Sequence, residues 1–316
     1  MQRFKKILLV IDAKTESRAA LERAITLAKR NQALLTVVDV IKELPRYMRP
    51  LLTSKPPAEL QMQATEKRRC DLERLIAPIR QEEVHVGDKV LCGTPFLEII
   101  REVLRNQHDL VMMTAEGKGG LKEMLFGSTS MHLMRKCPCP LWVMKLTQRK
   151  QYARILAAVD LASFDEGKNP LNTKIMDLAI SLARLEPSEL HVIHTWTLHG
   201  ESTLRGGRLK ISRGELDKLL REARNAHKGW LDRLLQNYEL GDLKHHVHLL
   251  KGKAGNLIPD LAKRKRVGII IMGTVCRTGV RGLFIGNTAE EVLRRVDCSV
   301  LTIKPDGFST PIRLDE

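Results

Sequence analysis

Short apolar runs alternate with amphipathic stretches along this chain. Residues 4–10, 34–41, 83–91, 108–113 and 141–145 are rich in β-branched residues and leucine, and each reads as a strand. Between the first two, Leu21, Ala24, Ile25 and Ala28 fall at i, i+3, i+4 and i+7, one apolar stripe of a helix laid on a sheet. Alternating strands and helices predict parallel βαβ units with right-handed crossovers.

The pattern runs twice. Gly93 and Gly252, Gly127 and Gly286, and Lys145 and Lys304 are each 159 positions apart, and Met113, Gly120, Arg135 and Cys139 return as Met272, Gly279, Arg294 and Cys298. The segment AITLAK at 24–29 reappears 155 positions later as AISLAR, and the strand that ends at Asp12 reappears as RILAAVD, ending at Asp160. Strands at 190–196, 244–250, 267–272 and 299–304 complete the second edition. This is a duplicated domain. The predicted division is a first domain at 1–146, a polar linker at 147–153, a second domain at 154–305 and a tail at 306–316. A long helix is expected over 215–237. Two irregular basic stretches, 42–57 with four prolines and 197–214 with four glycines, are expected to be flexible covers over the strand ends.

The chemistry concentrates where the fourth strand of each half meets the next helix. In the first half the sequence is TAEGKGGLKEMLFGST over 114–129; in the second it is GTVCRTGVRGLFIGNT over 273–288. Glycines in a strand-to-helix loop let bare backbone N–H groups approach an anion, and the helix N-terminus adds a favourable dipole. A phosphate is the expected guest. Glycine, two residues, glycine, nine residues, then glycine with serine or threonine is similar to the nucleotide loop of the universal stress protein family, and the chain resembles a tandem member of it, of the E type. Both copies depart from the pattern. Thr114 stands at the opening glycine of the first, while Cys276 and Asn287 replace the middle glycine and the hydroxyl residue of the second, so the first half is the better candidate.

That resemblance implies an α/β fold of two tandem five-stranded parallel sheets, Rossmann-like and similar to the adenine nucleotide α-hydrolases, with strand order 3-2-1-4-5. It also implies a ligand, ATP or AMP with Mg²⁺ as an optional companion. Asp12 and Val40 would frame the adenine, and Gly117, Gly127, Ser128 and Thr129 would hold ribose and phosphates, with Lys118 and Lys122 as nearby countercharges. The corresponding second set is Asp160, Gly273, Gly286, Asn287 and Thr288. The same glycines would equally serve as a tight turn capping the helix. The family further implies an intramolecular pseudo-dimer through the fifth strands, with a homodimer and protein partners left open.

The 316 residues carry a formal charge of +16. The basic residues are spread out, and only Lys263, Arg264, Lys265 and Arg266 form a dense block, where they would complement a helix C-terminus. A solvated basic face is favoured over a nucleic-acid or anionic-membrane surface, since aromatics are only 4%. Six cysteines without framework spacing imply reduced thiols in a cytoplasmic protein, and no run approaches the ~20 apolar residues of a membrane span. His246 and His248 share a strand face at period two, a possible metal pair, though strand histidines are more often ordinary partly exposed polar positions. His191 and His194 oppose each other and do not extend that pair, so no tightly bound metal is expected. His132 is expected at the surface. Neither GxGxxG nor GxxxxGK[ST] is present, and no positioned base supports turnover, so the chain reads as a nucleotide-binding regulatory module rather than an enzyme, slow ATP hydrolysis aside. The alternative is a scaffold or small-molecule carrier that binds no nucleotide.

Overall fold

The computed structural model describes residues 4–11, 18–43, 56–81, 84–115, 126–145, 151–161, 170–205, 212–274 and 285–314. Two compact units result, the first holding the residues up to Lys150 and the second comprising Gln151–Arg277 and Ile285–Gly307.

In the first unit, strands β1 (Lys6–Val10), β2 (Leu34–Ile41), β3 (Val86–Cys92), β4 (Leu110–Thr114) and β5 (Leu141–Met144) lie in the order β3-β2-β1-β4-β5. All are parallel: Leu8 stands beside Thr36 on one side and Val111 on the other. Parallel neighbours cannot be joined by hairpins, so the chain crosses over through α1 (Arg18–Asn31), α2 (Pro57–Ile76), α3 (Pro95–Asn106) and α4 (Ser128–Lys136). Helices on both faces explain why the inner strands are apolar throughout. Ile7, Leu8 and Leu9 are fully buried, as are Leu110, Val111 and Met112. The stripe expected on α1 is buried, widened by Ala20 and Leu27.

The second unit repeats this order. Strands β6 (Arg154–Val159), β7 (Glu189–Trp196), β8 (His245–Lys251), β9 (Ile269–Gly273) and β10 (Ser299–Ile303) lie as β8-β7-β6-β9-β10. They alternate with α5 (Pro170–Leu185), α6 (Glu201–Arg205), α7 (Arg213–Leu235), α8 (Ala254–Arg264) and α9 (Asn287–Arg295). The strand order implied by the family resemblance therefore holds in each unit.

Element ends depart from the sequence pattern for local reasons. Strand β4 starts at Leu110, just after Asp109, whose carboxylate accepts the backbone N–H groups of Lys5 and Lys6, at 2.6 and 3.0 Å. Helix α7 starts at Arg213 because Ser212 caps it: the Ser212 hydroxyl accepts the Glu215 N–H while the Glu215 carboxylate accepts the Ser212 N–H. The 197–214 stretch is not all irregular, since it contains α6, whose Glu201 takes hydrogen bonds from Lys251 and Arg205. Residues 206–211 of that cover, and 44–55 of the first, lie outside the described residues. The duplicated Gly93 and Gly252 sit between strand and helix at φ +141° and +139°, where a side chain is strained, and a Cβ at Gly93 would come within 2.9 Å of Glu98 Cγ.

One buried carboxylate fastens α3 to its surroundings. Glu102 accepts from Lys89 Nζ of β3 and from Asn106 Nδ2, both at 2.7 Å, and lies 3.9 Å from the His108 imidazole. The nearby His108 imidazole, at 3.9 Å, and the Lys89 ammonium, hydrogen-bonded at 2.7 Å, hold its carboxyl below the usual carboxylate range against burial, and Lys89 is the direct contact. A carboxylate depressed in the folded state stabilises above its unfolded pKa and loses that contribution as pH falls. We therefore expect Glu102→Gln to cost on the order of 1–2 kcal/mol at pH 7, the worth of a hydrogen bond from a charged group partly screened by solvent. In urea unfolding the gap between wild type and variant should shrink steadily as pH drops below about 4.5. A gap independent of pH would contradict this assignment.

Candidate functional site

In the first unit, the chain leaving β1 turns towards β2 while the chain leaving β4 turns towards β5, so the carboxyl ends of these strands diverge. A cleft of about 770 Å³ opens there. Val10 and Ile11 line it at the end of β1 and just past it, Val40 and Ile41 at the end of β2, Met113 and Thr114 at the end of β4, and Thr129 from the first turn of α4. Of the residues singled out from sequence, Val40 and Thr129 are thus brought to one cleft. Asp12 and Gly117, with Lys118 and Lys122, lie outside the described residues.

Gly127 is the residue before α4, with φ −68° and ψ 171°, a conformation open to any residue. No side chain caps the helix, so its first amides keep their donor capacity and its N-terminus a partial positive charge. Ser128 is exposed there, whereas the Ser130 hydroxyl turns inward and donates to the Gly127 carbonyl at 2.9 Å. Ser128 and Thr129 also line a second recess of about 500 Å³ with Phe96, Arg101 and His132. His132 is not the surface residue expected. Its ring stacks on Phe96 with centroids 4.2 Å apart, and burial, then Lys136 and Arg135, lower its pKa.

Helix α2 brings Lys67, Arg68 and Asp71 to the 770 Å³ cleft. Arg68 reaches Asp39 at 3.5 Å, and Asp39 is only 4% exposed. This strand-to-helix pair was missed from sequence; the available signal was one acid inside an otherwise apolar strand.

The second unit places its expected residues differently. Asp160 is exposed just past β6, and its backbone is tied in both directions by the Asn172 side chain, at 3.0 and 2.7 Å. Gly273 ends β9, where a Cβ would meet Leu171 Cδ2 at 2.8 Å, a contact the leucine side chain would have to relieve by shifting. Gly286 precedes α9 at φ −63°, again without a side-chain cap, and Asn287 and Thr288 are exposed on the first turn. Cys276 lies outside the described residues. At the strand end itself, His194 occupies the position of Asp39 and His227 that of Arg68; His194 Nε2 lies 2.8 Å from His227 Nδ1. The Trp196 and Trp230 rings flank His227 at 5.7 and 4.6 Å, Trp230 standing where α2 has Asp71. One unit bridges strand and helix with an ion pair, the other with two imidazoles among indoles.

Fold and site together define a tandem, doubly wound, Rossmann-like α/β protein with a ligand-sized cleft at a topological switch point. The chain belongs to the universal stress protein family, whose pattern matches residues 3–145 and again 151–304. It is 31% identical over 320 residues to universal stress protein E of Salmonella typhi and to that of Escherichia coli K12, in each case across 100% of this chain and 99% of the relative. Identity to universal stress protein E of Photorhabdus laumondii is 27%, over 99% of both chains. Among solved structures, a functionally unknown protein of Pseudomonas aeruginosa PAO1 superposes with a TM-score of 0.67 at 25% identity, covering 97% of this chain and 95% of that one. A universal stress protein of Archaeoglobus fulgidus gives 0.59 at 19% identity, covering 95% and 98%.

Replacing His227 removes the hydrogen bond at buried His194 Nε2. We expect His227→Leu to lower stability by about 1–2 kcal/mol, read as the shift of urea midpoint at unchanged slope. A variant as stable as wild type would show that the imidazole pair contributes nothing.

Proposed function

We propose that the first unit binds an adenine nucleotide, ATP or AMP, with or without Mg²⁺, and that its occupancy regulates the protein's partners in a stress response. The cleft at the ends of β1, β2 and β4 carries this reading. Its volume of about 770 Å³ lies within the ~300–1,000 Å³ usual for small-molecule sites. In this pose adenine lies against Val40, and the phosphates face the uncapped first turn of α4 at Gly127, Ser128 and Thr129. Lys42 and Lys67, both lining the cleft, offset phosphate charge. The role is regulatory binding rather than catalysis, because the half-buried His132 stacks on Phe96 instead of addressing the cleft.

For the second unit a different reading is favoured by a specific observation. His227 and Trp230 fill the side of α7 that corresponds to the cleft-lining face of α2, so this half serves as a structural partner or a carrier of another small molecule.

Calorimetry of the full chain with ATP and Mg²⁺ tests both readings. Binding is expected in wild type. Val40→Trp should weaken it about tenfold or more, equivalent to ~1.4 kcal/mol, while Thr195→Trp, at the matching position of β7, should leave it unchanged. Absence of heat at millimolar ATP, or a Val40→Trp protein that binds normally, would refute the first reading. Loss of binding in Thr195→Trp would refute the second.

A further inference from the structure

At the other end of the second unit's sheet, where β6, β7 and β8 begin, lies a pocket of about 410 Å³. Strand register assembles its floor. Glu189 and His191, two residues apart on β7, point to the same face, and His191 is paired directly with His246 of β8. His248 follows on that face. Opposition to His194 is thus no reason to set His191 aside, because the neighbouring strand makes it the middle of a row.

Among the described residues, Glu189, His191 and His246 form the one cluster whose donor atoms all lie within 4.8 Å of one another. His191 is 2% exposed, and its Nδ1 lies 3.0 Å from His248 Nε2. Its Nε2, on the far side of the ring, has no hydrogen-bond partner and lies 3.9 Å from Glu189 Oε2. That distance is too long for a hydrogen bond. It is close to the ~3.4 Å that separates two ligand atoms each ~2.1 Å from a tetrahedral metal ion.

We propose that Glu189, His191 and His246 form a binding site for a divalent transition metal of the zinc type, apart from the nucleotide cleft. His191 Nδ1–H donating to His248 leaves the Nε2 lone pair facing the gap, the outer-shell arrangement that orients a metal-binding imidazole. The charges around the site decide the fourth ligand. Arg154 hydrogen-bonds Glu189 at 3.0 Å, Lys244 also contacts it, and Arg264, Lys265 and Arg266 complete the rim. A metal that takes a Glu189 oxygen releases these cations towards the open position, which therefore receives a small anion such as chloride or phosphate.

The test is a titration of the chelator-stripped full chain with Co²⁺, followed by displacement with Zn²⁺. One equivalent is expected per chain, with visible ligand-field bands and no near-ultraviolet thiolate charge-transfer band. His246→Ala and Glu189→Gln should weaken binding about 100-fold, and His248→Ala about 10-fold. His245→Ala, on the opposite face of β8, should bind as wild type. Sub-stoichiometric binding, a thiolate band, or Co²⁺ spectra unchanged in His246→Ala would overturn the proposal. His246 is exposed, so circular dichroism of His246→Ala should match wild type, and that variant decides the matter if Glu189→Gln does not fold.

Discussion

A parallel strand with a parallel neighbour on each side has its backbone hydrogen bonds satisfied in plane and both its faces covered by crossover helices. Strand β1 is in this position, and β6 repeats it. The consequence is a sealed interior: Ile7, Leu8 and Leu9, like Ile155, Leu156 and Ala157, have no contact with water. Chemistry is therefore displaced to the two ends of each sheet. The carboxyl end gives the large cleft of the first unit, and the amino end gives the histidine row of the second.

Duplication preserved this framework while the polar content diverged. Where β2 meets α2, buried Asp39 and half-buried Arg68 form an ion pair at the cleft wall; where β7 meets α7, His194 and His227 form a hydrogen-bonded imidazole pair. Both satisfy the same demand, because a polar group sealed between strand and helix needs a partner. They differ in what they allow. The arginine leaves a cleft lined by α2, whereas the imidazoles are packed among Trp196 and Trp230.

The basic excess acquires a local meaning in the same way. Lys263 and Arg264 close α8, where cations complement the helix dipole. Arg264, Lys265 and Arg266 also rim the pocket over His191, so one block serves a helix end and a pocket wall.

Much of this was legible in the sequence. The repeat, the five strand–helix steps per unit and the family all follow from periodicity and glycine spacing, because a buried parallel strand and an amphipathic helix impose patterns that survive in one dimension. Val40 and Thr129 line one cleft, because the strand order implied by the family resemblance sets which strand ends lie side by side. Other features required the third dimension. His191 could not be joined to His246 without the register of β7 on β8, nor Asp39 to Arg68 without the packing of α2. That Gly273 packs against the Leu171 side chain was likewise invisible in one dimension. Sequence alone determined which elements form and how often, because those depend on neighbours along the chain. Tertiary structure decided which polar side chains meet, because a contact across strands or between strand and helix depends on register and angle, and neither leaves a trace in residue spacing.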